Sequence, residues 1–297
     1  MSALFARYYR PPFIGIIAFV AIMLGTPLAH TISVLVRDVV GQDQFIAFFI
    51  MGSVACAMLL YGTRKNDEVW GTLLGYAAGM LMWIGWASYS FKFNEYSLGL
   101  GMIARDDSGG KLPFHLLFIQ SSFGVCVTTL LFFVFNKDSR CNAFRWIQRV
   151  FRLGVGEPDS GQGRNYCRIT FLETVYVTWF CYSLSLFLGD GRYLGYNHPF
   201  TYAFVAFLAL WGVYLLYRLA KYTRVMAAIR YAIPTKSIFW IPFGEFAPRY
   251  GFYDEVWLKP AEYSSTMWAA LGVFLALLIA SGFLPQRRQA TPPQAAE

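Results

Sequence analysis

The sequence predicts an all-helical membrane protein, and two features of its composition support that prediction. Of the 297 residues, 57% are hydrophobic and 14% are charged, whereas soluble domains carry about 25% charged residues. The charges also avoid several windows of about 18 or more residues, the length that an apolar helix needs to cross a bilayer. The aromatic fraction of 19% suits the belts of Trp and Tyr at membrane interfaces. We therefore expect a polytopic bundle of transmembrane helices.

Seven apolar stretches are long enough to span the membrane as helices. They cover residues 13–36, 45–62, 69–91, 114–135, 169–188, 200–217 and 264–284. Together they make a single transmembrane domain over residues 1–284. The polar, aromatic-rich stretch 218–263 is expected to form an ordered surface lobe, and the polar, proline-rich tail 285–297 is typical of disorder.

The distribution of Lys and Arg predicts the orientation, because cytoplasmic loops retain these residues. With a cytoplasmic N-terminus, the inner segments, chiefly 136–168 and 218–263, hold 18 of the 25 Lys and Arg residues. An odd number of spans then places the C-terminus outside. This bias accounts for the net charge of +8 without a nucleic-acid partner. We expect a multi-pass protein of a cell inner membrane, with the bilayer and other membrane subunits as its partners.

Several classes of function lack their motifs in this sequence. The chain contains no GxxxxGK[ST] loop, no GxGxxG after a strand, no GxSxG elbow and no EF-hand. None of its five cysteines belongs to a CxxC pair. A nucleotide-driven pump and a zinc-ribbon site are therefore not predicted.

Polar residues inside the predicted spans offer a first candidate site. Glu173 lies in the fifth span, beside a stripe that contains Thr174 and Thr178, and the fourth span carries Ser122 and Thr129 on one face. Such stripes are typical of tightly packed helices, as is the row of glycines at 71, 75 and 79 in the third span. They would also suit a polar path between the fourth and fifth spans, with Glu173 as its ionisable group. Alternatively, Glu173 forms a structural ion pair with Arg168 near the inner interface.

The three histidines offer a second candidate site. His30, His115 and His198 all fall in the outer half of the predicted topology. Imidazoles with nearby carboxylates suit copper or iron, and paired imidazoles suit haem. No HExxH spacing is present, so the ligands would have to meet through tertiary folding. The alternative is that each histidine is interfacial and bonded to water.

A third feature is a basic amphipathic segment between the fourth and fifth spans. Arg145, Arg149 and Arg152 share one helical face, with Phe144 and Phe151 on the other. This pattern predicts a helix in the cytoplasmic headgroup layer. A solvated helix packed on the protein is the alternative.

These observations lead to three hypotheses for function. The first is a non-catalytic integral subunit or scaffold of an inner-membrane complex. The second is a redox or oxygenase-type membrane protein that binds copper, iron or haem through the outer histidines. The third is a transporter or channel with a polar path between the fourth and fifth spans.

Overall fold

The computed structural model describes residues 10–65, 67–104, 111–136, 142–153 and 164–283. It confirms a helical architecture. The α-helices are α1 (Phe13–Val40), α2 (Gln44–Thr63), α3 (Glu68–Met82), α4 (Tyr89–Ser97), α5 (Phe114–Ser121), α6 (Phe123–Phe135), α7 (Asn142–Val150), α8 (Tyr166–Gly189), α9 (Pro199–Leu219), α10 (Val225–Trp240), α11 (Ala247–Arg249) and α12 (Ser264–Phe283). The predicted tail 285–297 lies outside the described residues.

Six helices in the described part of the chain are long and apolar enough to cross a membrane. They are α1, α2, the continuous pair α5–α6, α8, α9 and α12. One short antiparallel pair of strands, β1 (Met102–Ala104) and β2 (Lys111–Pro113), precedes α5, with Ile103 opposite Leu112. These six helices are compatible with a multi-pass membrane protein.

The third predicted span, 69–91, is interrupted in the structure by a π-helical turn. This turn, Trp83–Ser88, joins α3 to α4. A second π-helical turn, Ile241–Phe246, joins α10 to α11. Because a π turn holds an extra residue, it re-aims the side chains that follow it and often lies at a functional site.

The glycine row of the third span packs α3 against α8, as the spacing predicts. A Cβ on Gly75 would lie 2.5 Å from the carbonyl oxygen of Cys167, and a Cβ on Gly79 would lie 2.7 Å from Cβ of Thr174. Thr170 and Thr174 are fully buried at this contact. Small residues and hydroxyls therefore bring the two backbones close together.

Helix α10 lies inside the bundle, and this corrects the prediction of a surface lobe over 218–263. Met226, Ala228, Ile229, Ala232 and Ile233 are completely buried and share a hydrophobic core with side chains of α1 and α3. The helix has 16 residues and contains Arg230, Pro234 and Lys236. These three residues break its apolar pattern, so composition alone does not identify it as a buried helix.

The two ends of the bundle are defined by the contacts of α1. Gly15 lies against Leu219 at the end of α9, on the side of the molecule where Glu68 begins α3. Thr31 donates a hydrogen bond to the carbonyl oxygen of Trp257 (3.3 Å), on the side where α5 begins. We call these the Glu68 end and the His115 end.

Helix α12 runs from the His115 end back to the Glu68 end. The hydroxyl of Thr31 lies 3.1 Å from the sulfur of Met267 near its start, and a Cβ on Gly282 would lie 3.5 Å from Leu73 near its end. The start of α1 and the end of α12 therefore share the Glu68 end.

Partly buried charges at the Glu68 end tie α10 to α3. Glu68 pairs with Arg224 and with Arg230, whose Nη2 donates to Oε1 of Glu68 at 2.6 Å. Arg230 also donates to the hydroxyl of Thr72 at 2.6 Å. These partners offset the cost of holding a guanidinium inside an apolar bundle.

A second charge cluster closes the loop between α8 and α9. Asp190 is completely buried, and its carboxylate accepts hydrogen bonds from Nε of Arg192 (3.0 Å) and Nε2 of Gln120 (3.0 Å). Burial raises the pKa of the Asp190 carboxyl, but these hydrogen bonds outweigh burial and lower the pKa from 3.8 to about 2. The cluster links α5 to the α8–α9 loop.

Candidate functional site: a charged cavity at the His115 end

A cavity of about 280 Å³ lies between α1, α3, α4, α5, α8 and α10. Both π-helical turns contribute to its wall, through Trp83, Ile84 and Ser88 on one side and Ile241 and Glu245 on the other. The irregular turns thus face the same space from two different helices. This is the arrangement expected where helix geometry is adapted to a site.

The cavity wall contains four cationic side chains: Arg37, Lys92, Lys236 and Arg249. Lys236 is the most deeply buried, with 2% of its surface exposed. Its Nζ donates one hydrogen bond, to the hydroxyl of Thr26 at 2.8 Å. Neither Lys92 nor Lys236 forms a salt bridge with any residue that the structure describes.

Two carboxylates in the wall, Glu245 and Glu255, form ion pairs with the same arginine. Nη1 of Arg249 lies 3.6 Å from Glu245 and 3.4 Å from Glu255. Glu245 also accepts a hydrogen bond from the indole of Trp240 at 2.9 Å. The other three cations of the wall form no salt bridge among the described residues, although Glu95, which pairs with His115, attracts Lys92.

Two of the three predicted histidines line this cavity. The ring of His30 stacks on Trp240, with 6.4 Å between ring centroids and 16° between planes. His115 forms a short contact through Nδ1 with Glu95, and its backbone N–H donates to the same carboxylate oxygen at 3.0 Å. His198 instead caps the N-terminus of α9, where its Nδ1 accepts from the N–H of Phe200 at 3.2 Å, and it does not line the cavity.

The cavity therefore contains two of the three histidines of the predicted metal or haem centre. His198 lies outside the cavity that holds His30 and His115. Within the described ranges, no group of three His, Cys, Asp or Glu side chains is placed to hold one ion. The three histidines do not form the common site that their sidedness predicts.

The predicted polar stripe of α8 divides into two parts with different roles. Thr174 packs against α3, as described above, whereas Thr178, Cys181 and Ser185 line the cavity. Glu173 is half-buried on α8 and is not part of the cavity wall.

Ser122 and Thr129, which were predicted to line a polar path on the fourth span, form hydrogen bonds with neighbouring groups. The hydroxyl of Ser122 accepts a hydrogen bond from the indole of Trp179 at 2.9 Å. Thr129 donates to the carbonyl of Val125 in its own helix at 2.8 Å. The fourth span lines the cavity through His115, Leu116 and Ile119, and not through Ser122 and Thr129.

Helix α7 carries the predicted basic face and is anchored by a residue that the pattern did not single out. Gln148 is buried and donates to the carbonyl oxygens of Val134 (2.7 Å) and Asn136 (3.0 Å), at the end of α6. Arg149 and Arg152 are exposed. The side chain of Arg145 lies outside the described residues.

Lys92, Lys236, Glu245 and Arg249 were not predicted as site residues. Lys236 and Arg249 were counted with the cytoplasmic charges, because the segment that holds them was assigned to a surface lobe. A signal was present in "AIPTKSIFWIPFGEF", residues 232–246, where a single lysine and a single glutamate interrupt an otherwise apolar and aromatic run. Isolated charges in such a run mark candidate functional positions in a membrane helix.

Comparison of the chain with models of protein families, with curated proteins and with solved structures found no match. The cavity is therefore interpreted from its own residues.

Proposed function

We propose that this chain is a multi-pass membrane protein that binds a small molecule in the cavity at the His115 end. The proposal rests on one observation, the cluster of charged and aromatic side chains that lines a cavity inside an otherwise apolar bundle. Ionisable groups inside a membrane are costly and are typical of substrate pathways or binding sites. Ligand cavities between helices combine apolar walls with a few convergent polar groups.

The helix directions support a topology of eight crossings, in which the start of α1 and the end of α12 lie on one side of the membrane. The crossings are α1, α2, α3–α4, α5–α6, α8, α9, α10–α11 and α12. Of the 19 Lys and Arg residues in the described ranges, 11 then fall at the Glu68 end and six at the His115 end, while Arg230 and Lys236 lie within α10. We therefore place the Glu68 end in the cytoplasm and the cavity toward the outer face of a cell inner membrane.

Among the three hypotheses from the sequence, the cavity favours transport or ligand sensing, with Lys236 in place of Glu173 as the central ionisable group. A metal or haem would find His30 and His115 in the wall but would need further ligands. The scaffold hypothesis is the second candidate, because α12 presents an exposed row of small residues at Gly272, Ala276 and Ala280. Such a row suits contact with a helix of another subunit.

Accessibility of single cysteines tests the binding function. Ser185 lines the cavity, whereas Ser183, two residues earlier on α8, is fully buried and bonded to the carbonyl of Ile119. Ser185→Cys and Ser183→Cys would each be made in a chain whose five native cysteines are replaced. A membrane-impermeant thiol reagent would then be applied to intact cells and to inverted vesicles.

We expect Ser185→Cys to react from the outer side and Ser183→Cys to remain unreactive. If Ser185→Cys reacted from neither side, the cavity would not be open to ligands and the proposed function would be wrong. Reaction from the cytoplasmic side alone would retain binding and reverse the proposed orientation. Stable co-purification with other subunits, lost when Gly272 is replaced by Leu, would support the scaffold candidate instead.

A further inference from the structure

We infer that the ligand of this cavity is a small organic anion, a carboxylate or phosphate head on an apolar body; the inference rests on the proposed binding function.

The wall carries an excess of positive charge. Four cations face two carboxylates in the wall, and both of these lie on Arg249. A third carboxylate, Glu95, lies outside the wall, where it contacts His115 and attracts Lys92, so the cations still outnumber the carboxylates. A cationic group taken out of water is stable only when paired or hydrogen-bonded. Lys236 can donate three hydrogen bonds, yet its Nζ makes one with the described residues. An anion in the cavity would supply the missing partner.

The cations lie at different depths along the cavity. Lys236 contacts Thr26 near the middle of α1, whereas Arg37 lies near the His115 end of that helix. Eleven residues separate these two positions, which is about 16 Å along a helix axis. Lys92 on α4 also lies in the wall. Positive charge is thus available from the outer end of α1 to the interior, where it would attract an anion inward.

The surfaces between the cations are aromatic. Trp83 and Tyr182 meet edge to face with 6.4 Å between ring centroids, and Trp240 carries the stacked ring of His30. These faces suit an apolar body more than a fully hydrated inorganic ion. The volume of 280 Å³ is near the lower limit of ligand cavities, about 300 Å³, and therefore selects a small molecule.

A matched set of compounds tests the charge of the ligand. The probes are 4-phenylbutanoate, the corresponding amide and 4-phenylbutylamine, which share one apolar body. Each would be titrated against labelling of Ser185→Cys in nanodiscs of uncharged phosphatidylcholine. We expect the carboxylate to protect the cysteine, with the amide at least about tenfold weaker and the amine without effect, because hydrogen bonds to charged groups contribute strongly.

Substitution of the cations supplies the matched controls. Lys236→Met should weaken protection by the carboxylate about tenfold or more and leave protection by the amide unchanged. Lys92→Met should weaken it in the same direction and serves as a second variant if Lys236→Met fails to fold. Lys259→Met removes an exposed lysine outside the cavity wall at the same end and should have no effect.

The outcomes separate this inference from the proposed function. Equal protection by the carboxylate and the amide, or a Ser185→Cys that reacts but is protected by no probe, would overturn the anionic ligand and leave an accessible cavity. A Ser185→Cys that never reacts would overturn the binding function itself. Nanodiscs that contain phosphatidylglycerol distinguish the source of the anion. If this lipid alone protects Ser185→Cys from the thiol reagent, the site binds an anionic lipid headgroup. If Ser185→Cys is still labelled in these nanodiscs, the site binds a free solute.

Discussion

Replacing Gly75 by Ala tests the packing of α3 on α8, a close helix contact at the glycine row that the sequence singles out. The added Cβ would lie 2.5 Å from the carbonyl oxygen of Cys167 and 3.0 Å from Cβ of Thr170. The oxygen belongs to the backbone, so it cannot move by a simple change of rotamer. The two helices must instead separate by roughly 0.7–1 Å to restore an ordinary C···O contact of about 3.3 Å or more.

The expected magnitude is the difference between two opposing effects. Overpacking of a close contact costs about 1–3 kcal/mol, while alanine in place of glycine favours the helix by roughly 0.5–1 kcal/mol. The net expectation for Gly75→Ala is therefore a loss of about 1–2 kcal/mol in the free energy of unfolding. For a chain of this size, that loss corresponds to a decrease of several degrees in Tm, at about 2–4 °C per kcal/mol.

The assay is thermal unfolding of the detergent-solubilised protein, with Gly272→Ala as the matched control. A Cβ on Gly272 meets nothing within 4 Å, so the control keeps the gain in helix propensity without the clash. We expect its Tm to equal or slightly exceed that of the wild type. A Gly75→Ala protein as stable as the Gly272→Ala control would refute the close packing of α3 on α8.

Three further perturbations have defined outcomes. Glu68→Gln removes the carboxylate that pairs with Arg224 and Arg230. Because these side chains are only partly buried, we expect a loss of about 1–2 kcal/mol in the free energy of unfolding, which denaturant unfolding measures. The pKa of Asp190 is lowered to about 2 in the folded protein, so its carboxylate contributes about 2 kcal/mol to the free energy of unfolding. This contribution is fully present above pH 3.8 and is lost as the pH falls toward 2. Asp190→Asn should abolish this part of the pH dependence of Tm. Gln148→Leu leaves two carbonyl oxygens at the end of α6 without their hydrogen-bond donor. We therefore expect faster amide hydrogen exchange confined to α7. Unchanged exchange in α7 would contradict the anchoring role of Gln148.

The features that could be predicted from the sequence are those that depend on local pattern. Apolar length identified the six long helices, and the spacing of Gly71, Gly75 and Gly79 identified the face of α3 that packs on α8. The same reasoning failed for α10, because Arg230 and Lys236 read as loop charges. Their partners, Thr72 and Glu68 for one and Thr26 for the other, are more than 150 residues away in the sequence.

The candidate site was predictable only in part, for the same reason. His30, His115 and Thr178 were singled out and do line the cavity. His198 caps a helix, and Ser122 bonds to a neighbouring indole. Which polar residues converge depends on the path of α10 through the bundle, and no local spacing of residues encodes that path.

The pairing of Glu68 with Arg230 has a consequence for the biogenesis of the protein. A helix that carries Arg230 and Lys236 inserts poorly into lipid by itself. A charge at the centre of a span, such as Lys236, costs about 2.5–3.5 kcal/mol, and Arg230 adds a second charge near the start of the helix. The carboxylate that compensates Arg230 is made 162 residues earlier, so it is already present when α10 leaves the ribosome. We therefore expect α10 to insert into the membrane after α3, when Glu68 is already in place to pair with Arg230. In a chain that lacks α3, we expect this segment to remain outside the bilayer.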